Sequence, residues 1–251
     1  MVAQPALKSA CLIPARIGST RFPRKPLAMI AGRPMIQIVA LNAAEAFGKN
    51  NTYVVTDSLE IQKVVEASGI RSIMTASKFE TGTDRIASVL SEMDQDYAWL
   101  FNVQGDEPGL RSDTILNFVS HSLLSQAMVT NAFVKSRDLD RIQSPNSIKM
   151  AITSDRRLAY ASRSVIPALA ASRNIEHALQ VCIYGFRPSA LRDFGGFARK
   201  VTSLEANENI EILRFLDMGV SVEMIESTST SHPVDVRADV PIVEKIIMGG
   251  R

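Results

Sequence analysis

The chain has only two cysteines, one tryptophan and three histidines among 251 residues, and its net charge is +2 from 28 basic and 26 acidic side chains. Each scarcity excludes something. Cys11 and Cys182 both lie in apolar runs that read as strands, so they are core residues rather than a disulfide framework or a metal pair. His121, His177 and His232 show no metal-ligand spacing. Balanced charge offers no global field to nucleic acid or an anionic membrane, so neither is an expected partner and any basic site must be local. No apolar run approaches the roughly 18 to 20 residues that span a bilayer. The opening MVAQPALKSA lacks a charged region followed by a long apolar segment, which points to a cytoplasmic protein without a signal peptide. Walker A and G-x-G-x-x-G loops, a nucleophile elbow, internal repeats and low-complexity tracts are also missing from the sequence.

What is present is an alternation of short β-branched runs with helical periodicity. Strands are expected at Cys11–Ile13, Thr52–Thr56, Ile70–Thr75, Trp99–Val103, Ala127–Val134, Ser147–Ile152, Ala178–Arg187 and Val220–Glu226. Helices are expected at Pro34–Phe47, at Leu59–Ala67 behind an Asp57/Ser58 cap, from Asp84 or Arg85 onward, from Ser112/Asp113 to about Ser125, and at Leu204–Leu216. Arg137–Asn146 reads as irregular, and 168–173 as a connection of little information. The pattern predicts an α/β fold with a mostly parallel sheet, as a single domain over 1–251 with an N-terminal extension at 1–10.

Two stretches call for chemistry. A strand ending at Ile13 opens into a loop carrying Arg16, Gly18, Ser19, Thr20, Arg21, Arg24 and Lys25. Loops past the carboxyl ends of strands in open α/β sheets are where ligands sit, and forked Arg donors, a Lys point charge and backbone N–H groups suit a polyphosphate; the alternative is a solvated basic loop. The strand at 99–103 runs into Gln104, Gly105, Asp106, Glu107 and Pro108, where adjacent carboxylates could hold a hard cation, although acidic turns are common. Gly82 and Thr83, ahead of a helix, suit either ligand contact or an ordinary cap. Lys149, in an alternating strand, reads by default as solvent-facing. Glu205, Glu208 and Glu211 at i, i+3 and i+6 would share one helix face, by default a solvated one.

The segment P-A-R-x-x-S-T-R-x-P-x-K-P-L followed by G-[KR]-P-M-I, over Pro14 to Ile36, resembles the opening of the CMP-Kdo synthetases (3-deoxy-manno-octulosonate cytidylyltransferases). Q-G-D-E-P at 104–108 matches a second signature, and the likeness extends from about residue 11 to 245. It implies a Rossmann-like three-layer sheet of the nucleotide-diphospho-sugar transferase type, with a smaller sugar-binding and dimerisation subdomain, assembled as a homodimer. It implies the reaction of CTP with an acidic keto-sugar, assisted by Mg²⁺ on Asp106 and on Asp235 of H-P-V-D, in the service of lipopolysaccharide biosynthesis.

Residue by residue, the resemblance assigns catalysis to Arg16, Lys25, Asp106 and Asp235. It assigns the nucleotide to Arg16, Gly18, Ser19, Thr20, Arg21, Lys25, Gly82, Thr83, Arg85 and Asp106, and the sugar to Gln104, Lys149, Arg163, Gln180, Tyr184, Glu205 and Glu208. The chain departs from the family pattern at Ile17 (Tyr), Arg24 (Gly), Thr81 (Ser), Gln180 (His), Cys182 (Gly), Ile212 (Gln) and Val236-Arg237 (Thr-Pro). Departures around 180 and 182 leave the identity of the sugar open, so another acidic sugar, a sugar phosphate, or a nucleotide-binding paralogue with a decayed sugar site remain as rivals.

Overall fold

The computed structural model describes residues 8–93, 96–168, 176–197, 203–227, 229 and 232–249. Most of the 1–10 extension and of the 168–173 connection therefore lies outside the described residues. In chain order the elements are β1 (Ser9–Ala15), β2 (Met29–Ile30), β3 (Arg33–Pro34), α1 (Met35–Phe47), β4 (Thr52–Thr56), α2 (Leu59–Glu66), β5 (Arg71–Met74), α3 (Gly82–Ala87), β6 (Trp99–Val103) and α4 (Ser112–Leu124). They continue with β7 (Val129–Ser136), α5 (Leu139–Gln143), β8 (Lys149–Ile152), β9 (Leu158–Ser162), β10 (His177–Phe186), α6 (Pro188–Gly196), α7 (Leu204–Glu208), α8 (Leu213–Asp217), β11 (Val222–Glu226) and α9 (Val240–Gly249).

The main sheet runs β11-β7-β10-β6-β1-β4-β5. β1 pairs parallel with both β4 and β6, β4 with β5, and β11 with β7, while β10 runs antiparallel between β6 and β7. Side chains of β1 alternate into two cores. Cys11, Ile13 and Ala15 face α1, α2 and α4, while Ala10 and Leu12 face the side covered by α3, α6 and α8. A strand apolar on both faces must be covered on both, which is why the layers are three. Burial pushes the Cys11 thiol far up, as expected of a core cysteine.

Several boundaries moved for local reasons. α3 begins two residues earlier than expected, because Thr81 and Asp84 form a capping box: Thr81 Oγ1 accepts from Asp84 N, and the Asp84 carboxylate accepts from Thr81 N. In α4 the cap is Arg111, with Asp113 inside the first turn accepting from Thr114 N. β7 is shifted toward its C-terminus, to 129–136. The segment 137–146 is not irregular throughout, since Asp138 accepts from the N–H groups of Asp140 and Arg141 and so starts α5.

The predicted helix over 204–216 is instead two short helices. Asn209 adopts φ +54°, ends α7 in the left-handed region, and leaves 210–212 as a link to α8. The hydrophobic periodicity of the stretch survives as burial of Ile210, Ile212, Leu213 and Phe215. The acidic face does not survive.

Beside the main sheet, β8 and β9 form an antiparallel pair hung on the first residues of β10. With α7 and α8 they make the side branch on which half of the candidate site is built.

Candidate active site

The strand order reverses at β1, whose neighbours β4 and β6 lie on opposite sides, so the loops after β1 and β6 part there and leave a crevice. Three close approaches shape it. Gly105 lies so near β1 that a Cβ would stand 2.7 Å from the Pro14 carbonyl oxygen, and a Cβ on Gly82 would stand 2.9 Å from Pro14 Cγ. Asp57, expected as a helix cap, instead accepts from Ile17 N at 3.0 Å and from the Arg85 guanidinium at 3.2 Å, tying the basic loop to α3. The cap of α2 falls to Ser58 alone.

The crevice opens as two adjoining clefts of about 260 Å³ each. Arg16, Gly18, Ser19, Thr20, Arg21 and Lys25 line the first. Gly82, Arg85, Gln104, Asp106 and Asp235 line it too. Arg16 is exposed and Phe22, six residues on, is buried in a third small core with Val234 and Val243, which pins the loop at its middle. Arg85 contributes its flank only, because its guanidinium is spent on Asp57, Thr75 and the Ala76 carbonyl. Thr83 lies outside both clefts; it is buried, and its N–H donates to Glu211.

The two aspartates are 129 residues apart in sequence, yet both face one ammonium: Lys25 Nζ is 2.7 Å from Asp106 Oδ2 and 3.7 Å from Asp235 Oδ1. Arg21 reaches Asp235 Oδ1 at 2.8 Å. Backbone pairing explains the meeting. Val234 N donates to the Asp106 carbonyl, and Asp239 accepts from the N–H groups of Asp235 and Val236, fixing the segment across the end of β6. Asp239 stands at the last position of the segment that resembles the family's V-D-T-P-E-D, but nothing in the sequence shows that it holds the backbone of Asp235.

Arg21, Gln104, Asp106 and Asp235 belong to both clefts, so the second begins where the first ends. Arg163, Gln180, Tyr184 and Glu205 line the second, as do Asn146 and Ile210, which the sequence did not assign to a site, and Glu211, which it placed only on an acidic helix face. Glu211 is the most informative of these. It accepts from Thr83 N at 3.1 Å and from Gln104 Nε2 at 2.6 Å, tying the start of α3 to the seam of the two clefts, and burial pushes its carboxyl up to about 7 against the opposing bond from Thr83.

Three carboxylates expected on one face thus point three ways. Glu205 is buried against Arg214, at 2.6 and 2.8 Å, and Arg214 in turn pairs with Asp84 and lies over the Phe194 ring. Burial works against the Arg214 charge, but its bonds to Glu205 and Asp84 outweigh this and raise its pKa. Glu208 does not line either cleft; it accepts from Tyr160, Ser162 and Arg163 N, clamping α7 to β9. Lys149 is neither solvent-facing nor in a cleft. It is fully buried and donates to the carbonyls of Ser144, Ser147 and Arg163, while burial and then the Arg163 charge lower its pKa. Its ammonium holds the loop that carries Asn146.

The departures from the family pattern fall unevenly. Ile17 packs against the first core, Ile212 is buried in the second, and Val236 sits exposed in the C-terminal segment. Arg24 has φ +56°, the region that favours glycine, and its side chain pairs with Glu60 in solvent. Gln180 and Cys182 line the second cleft, and Thr81, which differs from serine by one methyl group, borders both clefts.

Known proteins share the sequence and the fold of this chain. The model of a family described as "Cytidylyltransferase" matches residues 10–225. A "3-deoxy-manno-octulosonate cytidylyltransferase" of Bartonella quintana (strain Toulouse) is 38% identical, over 96% of this chain and 99% of that one. An "8-amino-3,8-dideoxy-manno-octulosonate cytidylyltransferase" of Shewanella halifaxensis (strain HAW-EB4) is 34% identical, over 93% and 96%. The solved structure of a CMP:2-keto-3-deoxy-manno-octonic acid synthetase complexed with CTP superposes with a TM-score of 0.87 at 28% identity, covering 97% of this chain and all of that one.

Proposed function

This chain belongs to the cytidylyltransferase family, and from that premise we propose that it couples CTP to the acidic keto-sugar 3-deoxy-manno-octulosonate, giving the CMP-sugar and pyrophosphate. The observation that carries the reading is the junction of the two clefts, where Lys25, Asp106 and Asp235 meet between a basic loop and a pocket containing Arg163.

In the transfer, the sugar's anomeric hydroxyl oxygen attacks the α-phosphorus in line. The new P–O bond forms as the bond to the β-phosphate oxygen breaks, and the hydroxyl proton passes to solvent. Such a reaction needs positioning and charge stabilisation rather than a covalent nucleophile. Arg16, Arg21 and Lys25 hold the triphosphate and neutralise the charge that grows on departing pyrophosphate. Gly18, Ser19 and Thr20 let the loop backbone approach phosphate oxygens. Gly82 and the flank of Arg85 bound the cytosine end, and Arg163 is the forked donor for the sugar carboxylate. Gln104, with its Nε2 held by Glu211, turns its Oε1 toward Gly82 at the seam of the two substrates.

Asp106 and Asp235 fit a Mg²⁺ ion as its protein ligands. They supply two hard oxygen donors close to one point, the Lys25 ammonium, and with no third protein carboxylate gathered there among the described residues, phosphate oxygens and water would complete the set. Such an ion, when bound, polarises the phosphate and acidifies the attacking hydroxyl. A homodimer, a cytoplasmic setting and a role in lipopolysaccharide biosynthesis belong to the same reading. No described helix is long and apolar enough to cross a membrane.

The test is pyrophosphate release from CTP with Mg²⁺ and a panel of acidic sugars and sugar phosphates. Release with 3-deoxy-manno-octulosonate is expected. CTP binding without release for any sugar would leave the decayed paralogue as the better reading.

A further inference from the structure

Asn131 lies fully buried in the middle of β7, and both hydrogens of its amide are committed. Nδ2 donates to the Val181 carbonyl at 3.1 Å and to the Ile183 carbonyl at 2.8 Å, where the register of β10 against β7 shifts between Val181 and Tyr184. Its Oδ1 can then only accept, and Gln180 Nε2 donates to it at 2.9 Å. The Gln180 amide therefore cannot be turned over without setting two oxygens face to face. Its other end is Oε1, a buried oxygen that receives no hydrogen bond from any described residue. Gln180, Cys182 and Tyr184 alternate along β10 onto the second cleft, so the residue that carries this oxygen is part of the cleft wall.

We propose that Gln180 is a specificity-determining residue, presenting a carbonyl oxygen of fixed orientation that requires an O–H or N–H donor on the sugar. The assignment rests on the reading of the second cleft as the sugar site. Histidine, usual here in the family this chain resembles, can donate or accept according to tautomer, whereas a glutamine held by Asn131 only accepts. Losing a substrate donor leaves a buried acceptor unpaired, which discriminates far more sharply than a change of shape. The donor could be a sugar hydroxyl or a sugar ammonium; both satisfy the same oxygen.

The experiment uses 3-deoxy-manno-octulosonate, forms of it with one hydroxyl at a time replaced by hydrogen, and the 8-amino-3,8-dideoxy counterpart. Each is measured for turnover with CTP and for binding by calorimetry, in wild type, Gln180→Met and Gln180→His. In the wild type one deoxygenated sugar is expected to lose about a thousandfold or more in kcat/KM and in binding. In Gln180→Met that discrimination falls to within about threefold, with the KM for CTP unchanged as the check on folding, and Gln180→His narrows it as well. If the amine is the donor, the wild type prefers the 8-amino sugar and the Met variant loses the preference. Equal treatment of every sugar by the wild type, or discrimination that survives in both variants, overturns the assignment. Discrimination in binding without any turnover would defeat the transferase reading and leave Gln180 standing; turnover without discrimination would do the reverse.

Discussion

Where the two clefts meet, the charges of Arg21, Lys25, Asp106 and Asp235 are open and exchangeable, whereas those of Glu205 and Arg214 at the wall of the second are locked away. The side chains of Arg21, Lys25, Asp106 and Asp235 are 60, 16, 29 and 22% exposed, and Lys25 divides itself between two carboxylates. Arg214 and Glu205 are 3 and 1% exposed, and with Asp84 they form a closed set. Ion pairs in contact with water contribute little to stability and can exchange one partner for another, which suits residues that must pass from each other to a ligand's phosphates. Buried pairs cannot let go without stranding a charge. One region is therefore built to react and the other to hold a shape.

The sharpest way to break this contrast is Arg214→Met. Removing one member of a buried set leaves Glu205 and Asp84 uncompensated, at a cost of about 3–5 kcal/mol, which in a chain of this size is a fall of roughly 6–20 °C in Tm. A loss below about 1 kcal/mol in thermal or urea unfolding would mean the set is no scaffold.

Glu211 lies between the two regions and tests them through pH. Its carboxyl is raised by burial from 4.5 to about 7, so the folded chain holds a proton that the unfolded chain releases between those values. Stability then falls as pH rises from about 4.5 through about 7, by on the order of 3 kcal/mol. Glu211→Gln is expected to flatten Tm against pH across that window, with the Gln104 amide turning so that its oxygen meets the new N–H. An unchanged slope would show that Glu211 is charged when folded.

In the first cleft, Asp106→Asn keeps the shape and removes the charge. Turnover at saturating Mg²⁺ is expected to fall at least about a hundredfold, with Tm within about 2 °C of the parent. Near-normal turnover would remove Asp106 from its metal role.

The same contrast governs how much could be read from sequence. Arg16 and Asp106 come within three residues of the ends of β1 and β6, and Lys25 lies in the loop that β1 opens, so local patterning picked them out, and the parallel pairing of β1 with β6 brought Lys25 to Asp106. The side branch resisted such reading. Periodicity from Leu204 to Leu216 is genuine, but Asn209 in the left-handed region breaks the helix, and that break sends Glu205, Glu208 and Glu211 in three directions. Lys149 looks solvent-facing in an alternating strand, because only the tertiary structure supplies the three carbonyls that bury it. Asp57, which reads as a helix cap, and Asp239 act on backbone N–H groups 40 and four residues away, and no side-chain pattern announces those partners.

Arg163 gives the smallest effect and the finest division between the regions. Its guanidinium donates to the carbonyls of Pro145 at 3.0 Å and Asn209 at 3.4 Å, so part of its work is structural. Lys149 and Glu208 fix the same loops independently, through the Ser144 and Ser147 carbonyls and through Ser162, so the cleft should keep its shape without Arg163. What Arg163→Met then removes is a charge-assisted bond to the sugar carboxylate. The KM for the acidic sugar is expected to rise about tenfold or somewhat more, with the KM for CTP unchanged. Arg163→Lys should recover part of the loss, since a point charge survives but the fork does not. A parallel rise in both KM values would mean that the two clefts respond as one, and the division between an exchangeable half and a fixed half would not extend to substrate binding.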